Sequence, residues 1–401
     1  MINPKESTTP QWRPSATPGR RLPTSLLAVA GLALAAGLWL YLAVSGEFAV
    51  SMAAVAGVVV VLVYLDKVGL ADRLYELHAR HKAVSLLSFG LVLLVLPIPM
   101  RQSPYLIHIA VMACLAGIVA LGLNFQMGST DMVNFACGAF FGMGAYSSAL
   151  LATKTGLSPW LGLPVAVVTT VVLAYVVGVA TLKTKGYYLS LVTMALQLVF
   201  GLLLVNTDAV GGPNGIAAIP PYSIGPLSFR DSFWLVVYKL PYQALYFYLT
   251  AAMLLVCGYV ASRLHLSRVG LAWNTIGEDE IAGNCQGINP ARAKLIAFCM
   301  GGAFSGLAGA LYAHYISFIG PEDFSFSKSL IIISSVILGG PDNVLGVVVG
   351  SVLLTLIDEK LGGFTDYRML LYGLILLCVL LFRPDGLMPK RVRRYDLQLP
   401  K

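Results

Sequence analysis

The sequence is short of charge. Asp, Glu, Lys and Arg make up only 11% of its residues, against about 25% in a soluble domain. That shortage, with 57% hydrophobic residues and a mean hydropathy of +0.79, excludes an ordinary soluble globular protein. No GxxxxGK[ST] stretch occurs, so the chain has no P-loop of its own for ATP. No Gly-x-Ser-x-Gly occurs either. His314 and Ser305 share one apolar stretch, but no acid accompanies them, so Ser/His hydrolysis is poorly supported. The six cysteines (Cys114, Cys137, Cys257, Cys285, Cys299, Cys378) lack metal-ligand spacing. Five of them lie in apolar runs, where Cys behaves as a small hydrophobe, so neither a disulfide framework nor a metal site is expected. The period-two alternation of a membrane barrel is missing. The apolar runs are almost free of ionisable residues, which argues against ion coupling by a stand-alone secondary transporter.

What the chain has instead is length in uncharged runs. They include Leu22–Gly46, Phe48–Leu65, Ala83–Met100, Gln102–Thr130, Met132–Thr153, Thr155–Leu182, Gly186–Thr207, Leu240–Ser262, Leu295–Pro321 and Met369–Phe382. Many clear the roughly 17–25 residues that a helix needs to cross a bilayer. The expected fold is all-α: a polytopic integral membrane helical bundle of about ten full spans. A broken or short helix pair is expected near residues 328–357, where Gly339-Gly340-Pro341-Asp342-Asn343 interrupts an apolar run. Residues 1–21 read as a disordered tail. Residues 22–82 read as a helical hairpin with an interfacial segment, ADRLYELHARH. Residues 83–387 form the core, and 388–401 a basic tail.

The net charge of +8 is unevenly placed. Met1–Arg21, Asp66–Lys82, Lys183–Lys185, Arg263–Lys294 and Arg383–Lys401 hold 20 of the 27 Lys and Arg residues. The positive-inside bias therefore puts these segments, and both termini, in the cytoplasm. A basic nucleic-acid binder would not bury its remaining length in apolar runs.

The polar interval at Arg263–Lys294 carries the densest signals. Gly277 precedes Glu278, Asp279 and Glu280, and Gly287 follows about seven residues later. Acids in a first turn and a glycine past the end mark a helix of about nine residues. Asn289-Pro290 then opens the next helix. Ser267-Arg268-Val269-Gly270-Leu271-Ala272, Ile276-Gly277-Glu278-Asp279-Glu280-Ile281-Ala282 and Gly287-Ile288-Asn289 together resemble the cytoplasmic loop of branched-chain amino acid ABC permeases of the LivM type. The resemblance continues through Gly301–Leu311 and covers most of Tyr105–Leu387. It implies that Gly277, Glu278, Asp279, Glu280, Ile281, Ala282 and Gly287 form an ATPase-contacting surface. It implies a heterodimer with a homologous permease, two ABC ATPase subunits, and a periplasmic or tethered binding protein, in a bacterial or archaeal plasma membrane. No cofactor is expected on this chain, since ATP and Mg would sit on the partners. The implied cargo is leucine, isoleucine or valine, with urea or short amides as the alternative.

Four polar residues stand out within apolar runs. Asn134 follows the turn cluster Gly128-Ser129-Thr130-Asp131, and a polar amide in a membrane helix must face protein or water. The family usually places a His three residues on, where this chain has Cys137. Ser190, Thr193 and Gln197 share one helix face. These residues, with Asp342 in the broken helix, are the candidate translocation path, although Ser and Thr can instead bond their own backbone. Gly211, Gly212, Asn214 and Gly215 lie in the longest external loop and are candidates for shaping the outer mouth. Arg383-Pro384-Asp385-Gly386-Leu387 also resembles the family's tail motif.

Overall fold

The computed structural model describes residues 103–181, 186–224, 227–230, 233–235, 238–361 and 386–388, with isolated positions 57, 97, 100, 370, 373, 374, 377 and 381. The expected spans before residue 103 and after residue 361, and both terminal tails, lie outside these residues.

The described chain is a helical bundle. Its helices are α1 (Pro104–Met127), α2 (Cys137–Thr155), α3 (Pro159–Thr181), α4 (Gly186–Asn206), α5 (Gln243–His265), α6 (Arg268–Glu278), α7 (Glu280–Cys285), α8 (Pro290–Ile316), α9 (Phe326–Gly339) and α10 (Val344–Lys360). Five of them (α1, α3, α4 from Tyr188, α5 and α8) are long and apolar enough to cross a membrane. The helical class expected of a membrane protein is therefore present among the described residues. The loop between α4 and α5 adds two antiparallel hairpins, β1 (Ser223–Ile224) with β2 (Leu227–Ser228) and β3 (Phe233–Leu235) with β4 (Tyr238–Leu240).

Paired contacts fix the helix directions. Gly117 faces Leu254, and Phe125 packs on His265, so α1 and α5 run parallel. Gly122 faces Phe304 and His108 meets Tyr315, so α8 runs against α1. Met127, His265 and Pro290 therefore mark one end of the bundle. Pro104, Gln243 and Ile316 mark the other. The α6–α7 pair sits at the first end and the hairpin loop at the second.

α1 and α8 are central and largely buried, while α3 and α4 keep long apolar faces exposed. In lipid the hydrophobic drive between helices is missing, so small residues and close packing hold such a bundle. A Cβ placed on Gly144 would strike the carbonyl of Gly306, and one on Gly309 would strike that of Phe141. The backbones of α2 and α8 are thus in direct contact.

Two expectations need correction. The span drawn from Met132 starts as a helix only at Cys137. Residues 128–136 are extended or turning, with Asp131 at φ 52°. The cause is local: Asn134 Oδ1 accepts from Ala136 N at 2.8 Å, a side-chain turn that competes with the helix. Second, the acidic helix is two helices, α6 and α7, jointed at Asp279. Asp279 caps α7 by accepting from Ile281 N and Ala282 N at 2.8 and 3.1 Å. Glu278 therefore ends one helix, and only Glu280 stands in the first turn of the next. The 3-10 turn Pro321–Phe324 folds inward onto α2, where Phe324 packs on Phe141 and Tyr146.

The break in the 328–357 run is where the sequence puts it. α9 and α10 form an antiparallel pair joined at Gly340–Asn343, with Gly339 against Gly346 and Ser335 against Gly350. Asn343 rather than Asp342 caps α10, accepting from Leu345 N and Gly346 N at 3.1 and 3.2 Å. The turn lies at the α6–α7 end. Leu387 N and Met388 N bond the carbonyls of Leu338 and Gly339 there.

Gly309→Val should destabilise the protein by at least the ~1–3 kcal/mol of core overpacking. Gly258→Ala, which meets nothing within 4 Å, should leave the detergent melting temperature unchanged. Equal melting temperatures for the two variants would contradict the α2–α8 contact.

Candidate translocation site and coupling face

Residues 128–136 lead from the end of α1 to the start of α2 without forming helix or sheet. Gly128, Ser129 and Met132 donate to carbonyls at the end of α1, and side chains serve the rest. Asn134 Nδ2 donates to Gln126 Oε1 at 2.7 Å, and Gln126 Nε2 donates to Phe298 O at 3.3 Å. Phe135 N donates to Thr193 Oγ1 at 3.1 Å, and Ser190 Oγ donates to Val133 O at 3.3 Å.

The cluster continues into the first turn of α2, whose free N–H groups need partners. Gly138 N donates to Ser329 Oγ at 2.9 Å, and Ala139 N donates to Gln197 Oε1 at 2.6 Å. Ser329 Oγ also donates to Gln197 Oε1, and Gln197 Nε2 donates to Phe324 O at 2.6 Å. Gln197 thereby joins the start of α2 to the inward turn before α9. Cys137, which stands where the family usually has His, makes only a 3.7 Å contact from Sγ to Ser329 O.

Four candidate path residues (Asn134, Ser190, Thr193, Gln197) are therefore brought together. Asn134, Thr193 and Gln197 are buried and Ser190 is half-buried. Asp342 is not with them. It sits at the α6–α7 end at φ 66°, accepting from Ser129 Oγ at 2.7 Å and 3.3 Å from His265 Nδ1. Its backbone N–H donates to Asn124 Oδ1 at 2.7 Å.

The sequence reading missed Gln126 and Ser329 in the inner cluster, and Asn124, Ser129 and His265 at the end. The rule that singled out Asn134, an amide inside an apolar run, applies equally to Asn124 and Gln126.

The α6–α7 pair is anchored on one side and bare on the other. Trp273 is fully buried against Phe125 and donates from Nε1 to Ala293 O at 2.8 Å. A Cβ on Gly277 would lie 2.6 Å from the carbonyl oxygen of Ser129, so α6 rests directly on residues 128–130. Glu280 forms an ion pair with Lys294. Leu271 and Ile281 are 63% and 77% exposed. Glu278, Asp279 and Ala282 share the exposed side, and Gly287 closes it at φ 83°.

At the opposite end, Gly211, Gly212 and Gly215 take φ values of 97°, 52° and 67°, and Asn214 ends a 3-10 turn. Ile216 bridges to Ile319 there. His314 is buried, 2.7 Å from Pro220 O and 2.8 Å from Ser148 Oγ, so it ties the loop to the bundle.

The bundle thus holds a buried polar cluster, and at one end a helix pair with an exposed side. A family model described as branched-chain amino acid transport system / permease component matches residues 105–380. The chain belongs to that permease family. It is 35% identical over 316 residues to the high-affinity branched-chain amino acid transport system permease protein LivM of Salmonella typhimurium, covering 75% of this chain and 74% of that one. The LivM protein of Escherichia coli is 34% identical over the same shares. BraD of Pseudomonas aeruginosa, another permease protein of such a system, is 26% identical over 68% of this chain and 90% of its own. No solved structure matches. In this permease-family chain the match spans α1 to α10, and so includes the inner cluster and the α6–α7 pair.

Thr193→Val removes the acceptor for a backbone N–H at a buried position, which should cost ~1–3 kcal/mol. Gln197→Leu strands groups on both α2 and the 321–324 turn and should cost more. Ser190→Ala, at a half-buried site, should cost least. Thermal unfolding of the purified protein in detergent checks that order.

Proposed function

We propose that this chain is the membrane-spanning permease subunit of an ATP-driven importer of branched-chain amino acids. The single observation that carries the reading is the family match across the whole described bundle. The cargo follows from the relatives, which are named for branched-chain amino acid transport and not for urea or amides. With no P-loop in the chain, ATP hydrolysis falls to partner subunits, and the exposed side of α6–α7 is the surface offered to them. A second permease, two ATPases and a binding protein complete the assembly. The binding protein docks at the loop end near Gly211–Gly215. The Lys and Arg bias puts the α6–α7 end and both termini in the cytoplasm. Asn134, Ser190, Thr193 and Gln197 form the polar layer nearest the cargo's route.

Uptake of labelled leucine into proteoliposomes holding the assembled complex tests the function. It should depend on ATP and be competed by isoleucine and valine. Competition by urea or acetamide instead would overturn the cargo.

Orientation has its own test in a cysteine-free background. A cysteine at Asn214 should react with an impermeant maleimide from outside, and one at Leu271 should not. The reverse pattern would overturn the orientation.

Ile281→Asp, on the exposed side of α7, should cut ATP-driven uptake at least tenfold while the protein stays in the membrane. Such a charge in a docking core costs on the order of 1.4 kcal/mol or more. Unchanged uptake would remove α7 from the docking surface.

A further inference from the structure

Residues 128–136 touch both functional regions of the molecule. At one end, α6 rests on the carbonyl of Ser129 through Gly277. At the other, Val133, Asn134, Phe135 and Ala136 are bonded into the inner polar cluster. Between these ends the segment forms no helix or sheet, and the end of α1 holds it: Met132 N donates to Gln126 O at 2.8 Å, and Thr130 Oγ1 donates to the same carbonyl at 2.8 Å. Its two ends are held by side chains and backbone of other elements.

The outer end is fastened by three side chains from three elements. Ser129 Oγ lies 2.7 Å from Asp342 Oδ1 on the α9–α10 turn and 3.4 Å from His265 Nδ1 at the end of α5. His265 Nδ1 in turn lies 3.3 Å from Asp342 Oδ1, and its Nε2 is buried without a hydrogen-bond partner. The Asp342 backbone takes up the Asn124 side chain of α1. Phe125 packs on both His265 and Trp273, so the same knot reaches α6. Ser129 is buried and His265 and Asp342 are half-buried, so the three contacts strengthen one another as a network.

We propose that residues 128–136 are the mechanical link between the α6–α7 docking helices and the inner polar cluster, and that Ser129, His265 and Asp342 are the positioning residues that fasten it. The proposal rests on the permease reading above. Movement of α6 by an ATPase presses on Ser129 through the Gly277 contact. Displacement of Ser129 is passed along the backbone to Phe135 and Ala136, where Thr193 and the start of α2 receive it. Ser129 is the decisive residue because it belongs to the segment itself and touches α6, α5 and the α9–α10 turn together.

The test uses the assembled complex with its ATPase subunits. Val133 is replaced by Cys in a chain whose native cysteines have been removed, and its reaction with N-ethylmaleimide is timed. The rate should differ at least about threefold between the nucleotide-free complex and the complex trapped with ATP and vanadate, within the range that relay residues produce. Ser129→Ala and Asp342→Ala should abolish that difference. Ser129→Thr keeps the hydroxyl. Asp342→Asn keeps both an acceptor and tolerance of the left-handed backbone. These two variants should restore the difference, which a merely structural role would not require. A nucleotide-dependent difference that survives in Ser129→Ala would overturn the link. So would no difference in the unsubstituted chain, or equal failure of Ser129→Thr and Ser129→Ala. The labelling needs no cargo, so a complex that shows the relay but takes up no leucine would refute the cargo assignment alone.

Discussion

Backbone polar groups at membrane depth must find their partners inside the protein, because lipid offers none. Helices meet this demand along their length and fail it at their ends. This bundle places two such failures near its middle: the start of α2 and the inward turn before α9. The surrounding architecture answers them. Gln197 serves both ends at once, Thr193 and Ser329 take single donors, and Asn134 with Gln126 closes the remainder. Apolar residues at these positions would leave the same backbone unsatisfied, at about 1–3 kcal/mol for each buried group.

That requirement also explains where the helices pack most tightly. Side chains as short as Ser, Thr and Asn reach backbone on another helix only if the helices stand close. Gly138 allows it where α2 meets Ser329 and Gln197, while Gly144 and Gly309 bring α2 against α8. Dispersion across such contacts replaces the hydrophobic drive that lipid removes.

Much of this was legible in the sequence. Apolar run lengths gave α1, α3, α4, α5 and α8, and the Gly-Gly-Pro-Asp-Asn cluster gave the α9–α10 break. The shared face of Ser190, Thr193 and Gln197 was visible because a helix period fixes it. The 128–136 segment was not. Its residues Met132, Val133 and Phe135 read as the start of a span, and only Asn134's bond to Ala136 N shows why no helix forms there. Asp342 was grouped with the path residues because a buried acid draws notice wherever it stands. Which end of the bundle it occupies depends on tertiary packing with Ser129 and His265, and no local pattern encodes that. The joint at Asp279 was hidden for a different reason: the same acid can serve as a first-turn residue or as a cap.

The central claim is that the backbone at residues 133–139, where the chain enters α2, is bonded as firmly as the helices around it. Amide hydrogen exchange of the protein in lipid nanodiscs tests this directly. The account predicts slow exchange at Phe135, Ala136, Gly138 and Ala139, comparable with the middle of α8, and fast exchange in the loop between α4 and α5. Exchange at those four amides as fast as in that loop would contradict it.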